Sequence, residues 1–396
     1  MKKMSLTIAG IGHAINHSFQ LMIPPLLPFL AIEFNLNLIE IGLLVTAFVA
    51  AYGVGQLPTG ILADKVGAKN LIIFGLTICA VGSLVALFSP NIYILLAGFV
   101  IMGAGGSTYH PSGLTMLSHA FDEKGRGHAM GLHGLAGSVG QIASPIASGG
   151  IAVLQGWKIT FLIYALLGFG FSIFVFIRWR GKDVVSRTNA QAPKQRNSLR
   201  RLLSKAIIIV FVLAIFQGFL YQITTSFLIL YLVQARSYDV AIASLMLSLL
   251  LATGGVGQYV SGALSDRLGR KKVLIVLSLA CAGTALPIPM VSNVILVILV
   301  LVFGFILLGL IPTTNALMSD LAKGSFGVLF GVYYLFAFGV SSAGPPIAGF
   351  LGENFGLGSI FYFSAGIAII CLMITLLIPA PTLNEQKGWA DGIQNS

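Results

Sequence analysis

Long apolar runs separated by short polar stretches make up almost the whole chain. A helix that crosses a bilayer needs about 20 apolar residues, and its backbone groups must bond to one another because lipid offers no partners. Runs of this length therefore predict membrane-spanning helices rather than strands. Twelve such helices fit the sequence, at residues 6–30, 39–62, 71–89, 91–118, 127–154, 157–179, 205–233, 240–264, 273–291, 293–320, 325–351 and 357–379.

The polar turn after the second predicted helix recurs in the second half of the chain. Residues 55–69 read GQLPTGILADKVGAK, and 202 positions later residues 257–271 read GQYVSGALSDRLGRK. Each copy is a charged turn between two apolar runs, so the duplicated unit is a membrane-embedded one. The repeat therefore predicts two related six-helix halves.

Composition and charge also indicate a membrane protein. Hydrophobic residues make up 57% of the chain and charged residues 9%, which excludes an ordinary soluble domain. Of the 23 Lys and Arg, all but Lys158 and Arg236 fall on the side of the N terminus, and the side rich in these residues is normally cytoplasmic. We therefore expect a protein of the cell (inner) membrane with both termini in the cytoplasm. The net charge of +11 is spread over many loops, which argues against a nucleic-acid partner.

The predicted helices define four regions of the chain. These are an N-terminal six-helix bundle at 1–179, a basic polar linker at 180–204, a C-terminal six-helix bundle at 205–379 and a cytoplasmic tail at 380–396. The cysteines Cys79, Cys281 and Cys371 lie inside predicted helices without CxxC or CxxH spacing, so we expect neither a disulfide nor a metal site from them.

Two six-helix halves joined by a basic loop resemble the major facilitator superfamily, and the repeated turn strengthens the resemblance. The hallmark of that family between helices 2 and 3, G-x-L-A-D-R-x-G-R-K, stands here as Gly60–Lys69 and again as Gly262–Lys271. The resemblance implies an all-α membrane fold and loops that latch the cytoplasmic ends, with glycine permitting the tight turn. Charges that only mark the membrane boundary would not explain the matched Asp and Gly positions. The implied gating residues are Gly60, Asp64, Lys65, Gly67, Lys69, Gly262, Asp266, Arg267, Gly269 and Arg270.

The fifth predicted helix carries a pattern similar to the antiporter motif of drug exporters in that family, G-x8-G-x3-G-P-x2-G-G, with two of its glycines replaced by serine. Small residues let helices approach and pivot, and proline bends a helix, so the pattern predicts a hinge. Generic close packing of helices is the alternative. The matching residues are Gly131, Gly140, Ser144, Pro145 and Gly149, and a related pattern in helix 11 contains Gly344 and Pro345.

Histidines are the ionisable residues that the predicted spans retain at membrane depth. Every Asp, Glu, Lys and Arg is assigned to a loop or helix end, and of the six histidines His119 and His128 flank a loop. The remaining four are His13, His17, His110 and His133.

Polar residues form one stripe on the first predicted helix. His13, Asn16, His17 and Gln20 are spaced i, i+3, i+4 and i+7, and lipid penalises unpaired polar groups, so the stripe should face protein or a cavity. Counting 1.5 Å per residue places His110, which follows Tyr109 in helix 4, within roughly one turn of the depth of His13. His133 is expected near the cytoplasmic end of helix 5.

The histidine set predicts a titratable lining of a central cavity, because histidine changes charge near neutral pH. A hydrogen-bonded packing role remains the alternative for each histidine taken singly. In the second half, Gln217, Tyr221 and Gln222 on helix 7 offer hydrogen-bonding and aromatic contacts, and Gln222 is the repeat counterpart of Gln20.

Two short stretches resemble the fosmidomycin-resistance-like exporters within the superfamily. Residues 12–17 read GHAINH and residues 109–112 read YHPS, where that group has His-x-x-Asn-Asp and Phe-His-Pro-Glu. Here His17 replaces the first acid and Ser112 the second. A proton-coupling role, if the chain has one, must then fall on a histidine, and His17 is nearest the middle of its helix.

The resemblance implies a secondary transporter, and we expect a monomeric proton-coupled efflux antiporter for a small organic molecule or drug. We expect no enzyme activity and no cofactor, since the chain has neither a phosphate-binding loop nor a nucleophile beside a base. Transport of a metal ion or metal chelate through the membrane histidines is the alternative, weakened by the lack of a nearby carboxylate or thiolate. A membrane receptor or scaffold would have to explain two retained gating loops.

Overall fold

A computed structural model describes residues 2–179, 204–322 and 326–379. Within these ranges the structure is helical, and twelve helices are long and apolar enough to cross a membrane, which confirms the predicted fold class and number of spans. The predicted tail and all of the linker except Ser204 lie outside the described residues.

The helices follow the predicted order. In the first half they are α1 (Lys2–Leu21 and Ile23–Glu33), α2 (Leu38–Val66), α3 (Ala68–Leu87), α4 (Ile92–Gly106 and Tyr109–Ala120), α5 (Glu123–Gln155) and α6 (Trp157–Arg178). In the second half they are α7 (Lys205–Leu230, continued by a π-helical turn at Tyr231–Ala235), α8 (Val240–Leu268), α9 (Arg270–Ala285), α10 (Asn293–Ala322), α11 (Phe326–Tyr334, π-helical Leu335–Val340, 3-10 Ser341–Ala343 and Gly344–Phe355) and α12 (Ser359–Leu376).

Proline explains the break in α4, and a neighbouring helix compensates for it. Pro111 has no N–H, so it cannot bond to the Ser107 carbonyl one turn earlier. Instead the Thr59 hydroxyl of α2 lies 3.1 Å from that carbonyl and shares its proton between it and the Gly55 carbonyl of its own helix at 2.8 Å. In lipid such a freed carbonyl must find a partner within the protein. This contact stabilises the break in α4, and the second segment of the helix begins there with Tyr109 and His110.

The internal duplication extends to backbone angles and hydrogen bonds. The Ser261 hydroxyl of α8 donates to the Gly309 carbonyl at 2.8 Å, and this bond is the counterpart, 202 residues later, of the contact between Thr59 and Ser107. The glycine turns between α2 and α3 and between α8 and α9 both have φ of +93°. Only glycine adopts this conformation without steric cost.

The two halves meet at the end of the bundle opposite Lys2 of α1 and Leu376 of α12, which we call the closed face. Here α2 packs on α11 and α5 packs on α8. A Cβ atom added to Gly42 would lie 2.6 Å from the Pro345 carbonyl oxygen, so glycine is required for this approach. The Leu38 N–H at the start of α2 donates to the Glu353 carboxylate of α11 at 3.0 Å. Glycine contacts and a carboxylate at a helix N-terminus therefore join the halves.

The antiporter-like residues of α5 make three different contacts. Gly140 lies against the Ala14 backbone of α1, and the Ser144 hydroxyl lies 2.7 Å from the Tyr164 hydroxyl of α6. Gly149 packs against Ser244 of the second half, whereas a Cβ at Gly131 would meet open space. The pattern thus marks close packing at Gly140 and Gly149, and its role as a hinge stays a prediction.

Replacing Glu353 by Ala should weaken the closed face, because the Leu38 N–H loses its acceptor. A net loss of about 1 kcal/mol corresponds to roughly a fivefold shift toward separated halves. Thiol labelling of Ser244→Cys, a site that is fully buried between the halves, measures this shift. The control is Asn354→Ala, since that amide bonds to Phe350 of its own helix. Equal labelling of the two variants would show that the Glu353 bond does not hold the face closed.

Candidate functional site

Four histidines from three helices of the first half come together in one cluster, which we call the histidine cluster. It consists of His13 and His17 of α1, His110 of α4 and His133 of α5. Ring centroids lie 4.7 Å apart for His13 and His17, 5.1 Å for His13 and His110, and 4.1 Å for the stacked rings of His13 and His133. The His13 and His110 rings therefore lie within about one helical turn of each other, the distance expected from the sequence.

Backbone contact with α5 sets the orientation of His13. Its Nδ1 lies 2.8 Å from the His133 carbonyl oxygen, and since a carbonyl can only accept, Nδ1 carries the proton of this bond. The opposite nitrogen, Nε2, is buried without a hydrogen-bond partner among the described residues. A Cβ atom on Gly137 would lie 2.5 Å from the His13 ring, so the glycine makes room for the histidine.

Two residues that the sequence patterns did not single out, Gln141 and Tyr52, lie against the histidine cluster. The Gln141 amide nitrogen of α5 lies 3.3 Å from Nδ1 of His17, and the Asn16 amide donates to the Tyr52 hydroxyl of α2 at 3.2 Å. Gln141 is a polar residue in a small-residue face of α5, which is the signal that could have identified it. Tyr52 carries no such signal, because a tyrosine in an apolar helix usually reflects packing alone.

Tyr109 braces the cluster from α4. Its hydroxyl donates to the Ala9 carbonyl of α1, and its ring lies parallel to His13 with centroids 5.4 Å apart. Ser112, which replaces an acid of the exporters that the chain resembles, instead donates to the Thr108 carbonyl of its own helix at 2.7 Å. The Ser112 hydroxyl is thus satisfied locally.

Helix α7 of the second half carries buried polar residues, and one of them, Gln222, faces the first half. Gln217, Tyr221 and Gln222 are all buried, and the side-chain nitrogens of both glutamines lack a partner among the described residues. Gln20 and Gln222, which are repeat counterparts, line one small cavity between the halves together with Phe48. This cavity lies beside the closed face.

Charged side chains are confined to the ends of the described helices. Each Asp, Glu, Lys and Arg of these helices lies within about one turn of a helix end. The half-buried rings of His17 and His110 and the buried rings of His13 and His133 are therefore the basic side chains that the described helices carry away from their ends.

The predicted gating residues form bonds within their own halves. Arg270 pairs with Asp266, and its Nε lies 3.4 Å from a carboxylate oxygen of Asp320. Lys69 donates to the Trp179 carbonyl at 3.2 Å. The structure does not describe the Asp64 side chain. These bonds show how each turn is anchored, and a latch between the halves stays a prediction.

The loop between α4 and α5 is tied to the N-terminus on the same side of the bundle. Lys2 donates to the Asp122 carboxylate at 3.0 Å, and this hydrogen bond keeps the pKa of Asp122 below its usual value. Both side chains are exposed, so the pair contributes little to stability.

Three histidines of the cluster are close enough to one another to bind a single metal ion. Ring nitrogens of His13, His17 and His110 all lie within 4.8 Å of one another. Neutral imidazoles suit zinc, copper or nickel. A divalent ion held by neutral ligands alone inside a membrane would keep its full charge, which is unfavourable.

Comparison with known proteins identifies relatives along the whole chain. The sequence profile of the Major Facilitator Superfamily matches residues 9–343 and 211–394. The fosmidomycin resistance protein of Escherichia coli (strain K12) is 23% identical over 374 residues, which cover 93% of this chain and 91% of that protein. The MFS-type transporter YfnC of Bacillus subtilis (strain 168) is 24% identical over 386 residues, covering 96% and 94%.

Solved structures share the fold. A bacterial homologue of the human lysosomal transporter Spinster, in an inward-facing and unoccupied conformation, aligns with a TM-score of 0.83 at 15% identity and covers 95% of this chain and 96% of its own. The nucleoside transporter NupG aligns with a TM-score of 0.80 at 16% identity, covering 96% and 100%. At these identities the likeness concerns the fold alone.

Replacing Gly137 by Ala should displace His13, because the added methyl group would occupy the position of the imidazole ring. We expect the Gly137→Ala variant to shift the nitrogen resonances of His13 and His133 in spectra of protein labelled with 15N-histidine. Gly134→Ala is the matched control on the same helix, since a Cβ there meets open space. Unchanged histidine resonances in Gly137→Ala would contradict the packing of α5 against α1 described above.

Proposed function

The chain belongs to the major facilitator superfamily, and we propose that it exports a small organic molecule in exchange for protons by alternating access. The observation that carries this proposal is the histidine cluster, in which His17 and His110 are half-buried and which gathers imidazoles, the side chains whose unperturbed pKa is closest to neutral, in the described membrane interior. A proton that crosses with this protein needs such a group at membrane depth. We place the protein in the cell membrane as a monomer with both termini in the cytoplasm.

His17 is the group that we assign to the proton. Its ring is half-buried, and Gln141 lies within hydrogen-bond reach of that ring. Positive charges on rings 4 to 5 Å apart repel each other, so the cluster holds few protons at once. Proton and cargo then compete for one site, which is the condition for exchange rather than co-transport.

The second half supplies the contacts to the cargo in this proposal. Gln217 and Gln222 have buried amide nitrogens that can donate to a ligand, and Tyr221 adds an aromatic face. The turns at Asp64 and Asp266 would latch the cytoplasmic ends when the closed face opens. Similarity to a fosmidomycin resistance protein supports export of a small organic molecule, and the particular molecule is not proposed.

Transport of a metal ion or its chelate is the second candidate function. It is favoured by the three imidazoles whose nitrogens lie within 4.8 Å of one another. A chelate that brings its own carboxylate would supply the negative charge that these ligands lack. Movement of radioactive zinc into proteoliposomes that requires His13, His17 and His110 would favour this function over proton exchange.

His17→Gln should abolish transport driven by a pH gradient while leaving cargo binding measurable, because glutamine keeps a polar side chain but does not take up or release a proton in the physiological pH range. The measurement is uptake into proteoliposomes with and without the gradient, after a screen that identifies a cargo. His128→Gln is the control, since His128 is exposed outside the cluster. Survival of gradient-driven transport after replacement of all four cluster histidines would refute proton coupling by the cluster.

Tyr221→Ala should raise the half-saturating cargo concentration without moving the pH midpoint of transport. Loss of an aromatic contact of about 0.5–1.5 kcal/mol corresponds to roughly a 2- to 10-fold weaker interaction. Tyr259→Ala is the control, because Tyr259 is 80% exposed on α8. A shifted pH midpoint in Tyr221→Ala would contradict the division of roles between the halves.

A further inference from the structure

Tyr52 of α2 lies between the histidine cluster and the second half of the protein. Its side chain is only 1% exposed. On one side its hydroxyl accepts a hydrogen bond from Asn16, which shares the polar stripe of His13 and His17, and its ring meets His110 edge-on at 6.2 Å. On the other side the ring meets Phe338 of α11 edge-on at 5.5 Å. One side chain therefore touches both the cluster and the opposite half.

Phe338 lies in the irregular part of α11. The helix is π-helical over Leu335–Val340 and 3-10 over Ser341–Ala343 before it resumes as an α-helix. Pro346 cannot donate to the Ser342 carbonyl one turn earlier, and the Thr46 hydroxyl of α2 donates to that carbonyl instead, at 2.5 Å. Such irregular stretches inside a membrane helix are common at functional hinges.

Helix α2 also holds this irregular stretch by direct backbone contact. A Cβ atom added to Gly53, the neighbour of Tyr52, would lie 2.7 Å from the Cα atom of Gly339. Thr46, Tyr52 and Gly53 thus line up along the part of α2 that faces the break. The first half therefore contacts the second half at the irregular stretch of α11.

The hydrogen bond between Asn16 and Tyr52 is poised to respond to the cluster. Asn16 is buried, and its amide oxygen has no partner among the described residues. Gly106 of α4 lies under both side chains, with a Cβ position 3.0 Å from the Tyr52 ring and 3.2 Å from the Asn16 oxygen. A change in charge or position of the neighbouring imidazoles can therefore reach the phenol through a single amide.

We propose that Tyr52 is a positioning residue that couples the histidine cluster of the first half to the hinge in α11 of the second half. The proposal deepens the proposed function, since it names the residue through which occupancy of the cluster biases opening of the closed face. A coupling residue must make its two contacts depend on each other, and this dependence is measurable as non-additivity.

A double-mutant cycle between Asn16→Ala and Phe338→Ala tests the proposal. The readout is the rate at which an impermeant maleimide labels Ser244→Cys at the closed face, in a background with the three native cysteines replaced by alanine. With Tyr52 present, the effect of the double variant on the labelling rate should differ from the product of the single effects by about threefold or more. In the Tyr52→Phe background, which keeps the ring and removes the hydroxyl, the effects should multiply.

Tyr164→Phe is the matched control. Tyr164 is also buried, and its hydroxyl bonds to Ser144 within the first half. In that background the non-additivity should remain. Multiplicative effects in the presence of Tyr52, or non-additivity that survives Tyr52→Phe, would overturn the proposal. If Asn16→Ala or Phe338→Ala does not fold, Asn16→Ser and Phe338→Leu carry the same test.

The assay contains neither cargo nor a pH gradient, so it separates this proposal from the proposed function. A protein that shows the coupling but moves no protons would retain Tyr52 as the positioning residue and lose only proton exchange. A protein that exchanges protons but shows multiplicative effects would keep the function and lose the role of Tyr52.

Discussion

Lipid does not solvate charged groups, and the rest of this structure depends on that constraint. Moving a full charge to the centre of a bilayer is costly, and the described helices accordingly carry their Asp, Glu, Lys and Arg within about one turn of their ends. Histidine is compatible with the membrane interior because it can be neutral there, and its unperturbed pKa lies close to 7. The same constraint that removes charges from the interior thus leaves the four imidazoles as its titratable groups.

Unpaired backbone carbonyls are also costly in lipid, and α2 provides hydrogen bonds to two of them, one in each half of the protein. Its Thr59 bonds to the carbonyl freed by Pro111 in α4, and its Thr46 bonds to the carbonyl freed by Pro346 in α11. Two proline breaks, one beside the histidine cluster and one in the opposite half, are therefore held by a single helix. This makes α2 the physical connection between the site and the closed face.

Much of the architecture could be predicted from the sequence, because apolar runs and the repeated turn report directly on spans and on duplication. Helical rise predicts that His110 lies within about one turn of the depth of His13, and in the structure the two ring centroids lie 5.1 Å apart. The stacking of His133 on His13 could not be predicted, since it depends on how closely α5 approaches α1 at Gly137 and Gly140. The roles of Gln141 and Tyr52 and the π-helical turn in α11 depend on the same kind of tertiary contact, which periodicity does not encode.

The central claim is that protonation of the histidine cluster controls which face of the protein opens. The direct measurement is the rate of labelling of Ser244→Cys between pH 8 and pH 6 in proteoliposomes, for the otherwise native protein and for a variant that lacks His13, His17, His110 and His133. A coupling of about 1–3 kcal/mol predicts a 5- to 150-fold change of the opening equilibrium with pH, lost in the fourfold variant and kept when His119 and His128 are replaced. The same pH dependence in the fourfold variant would contradict the account.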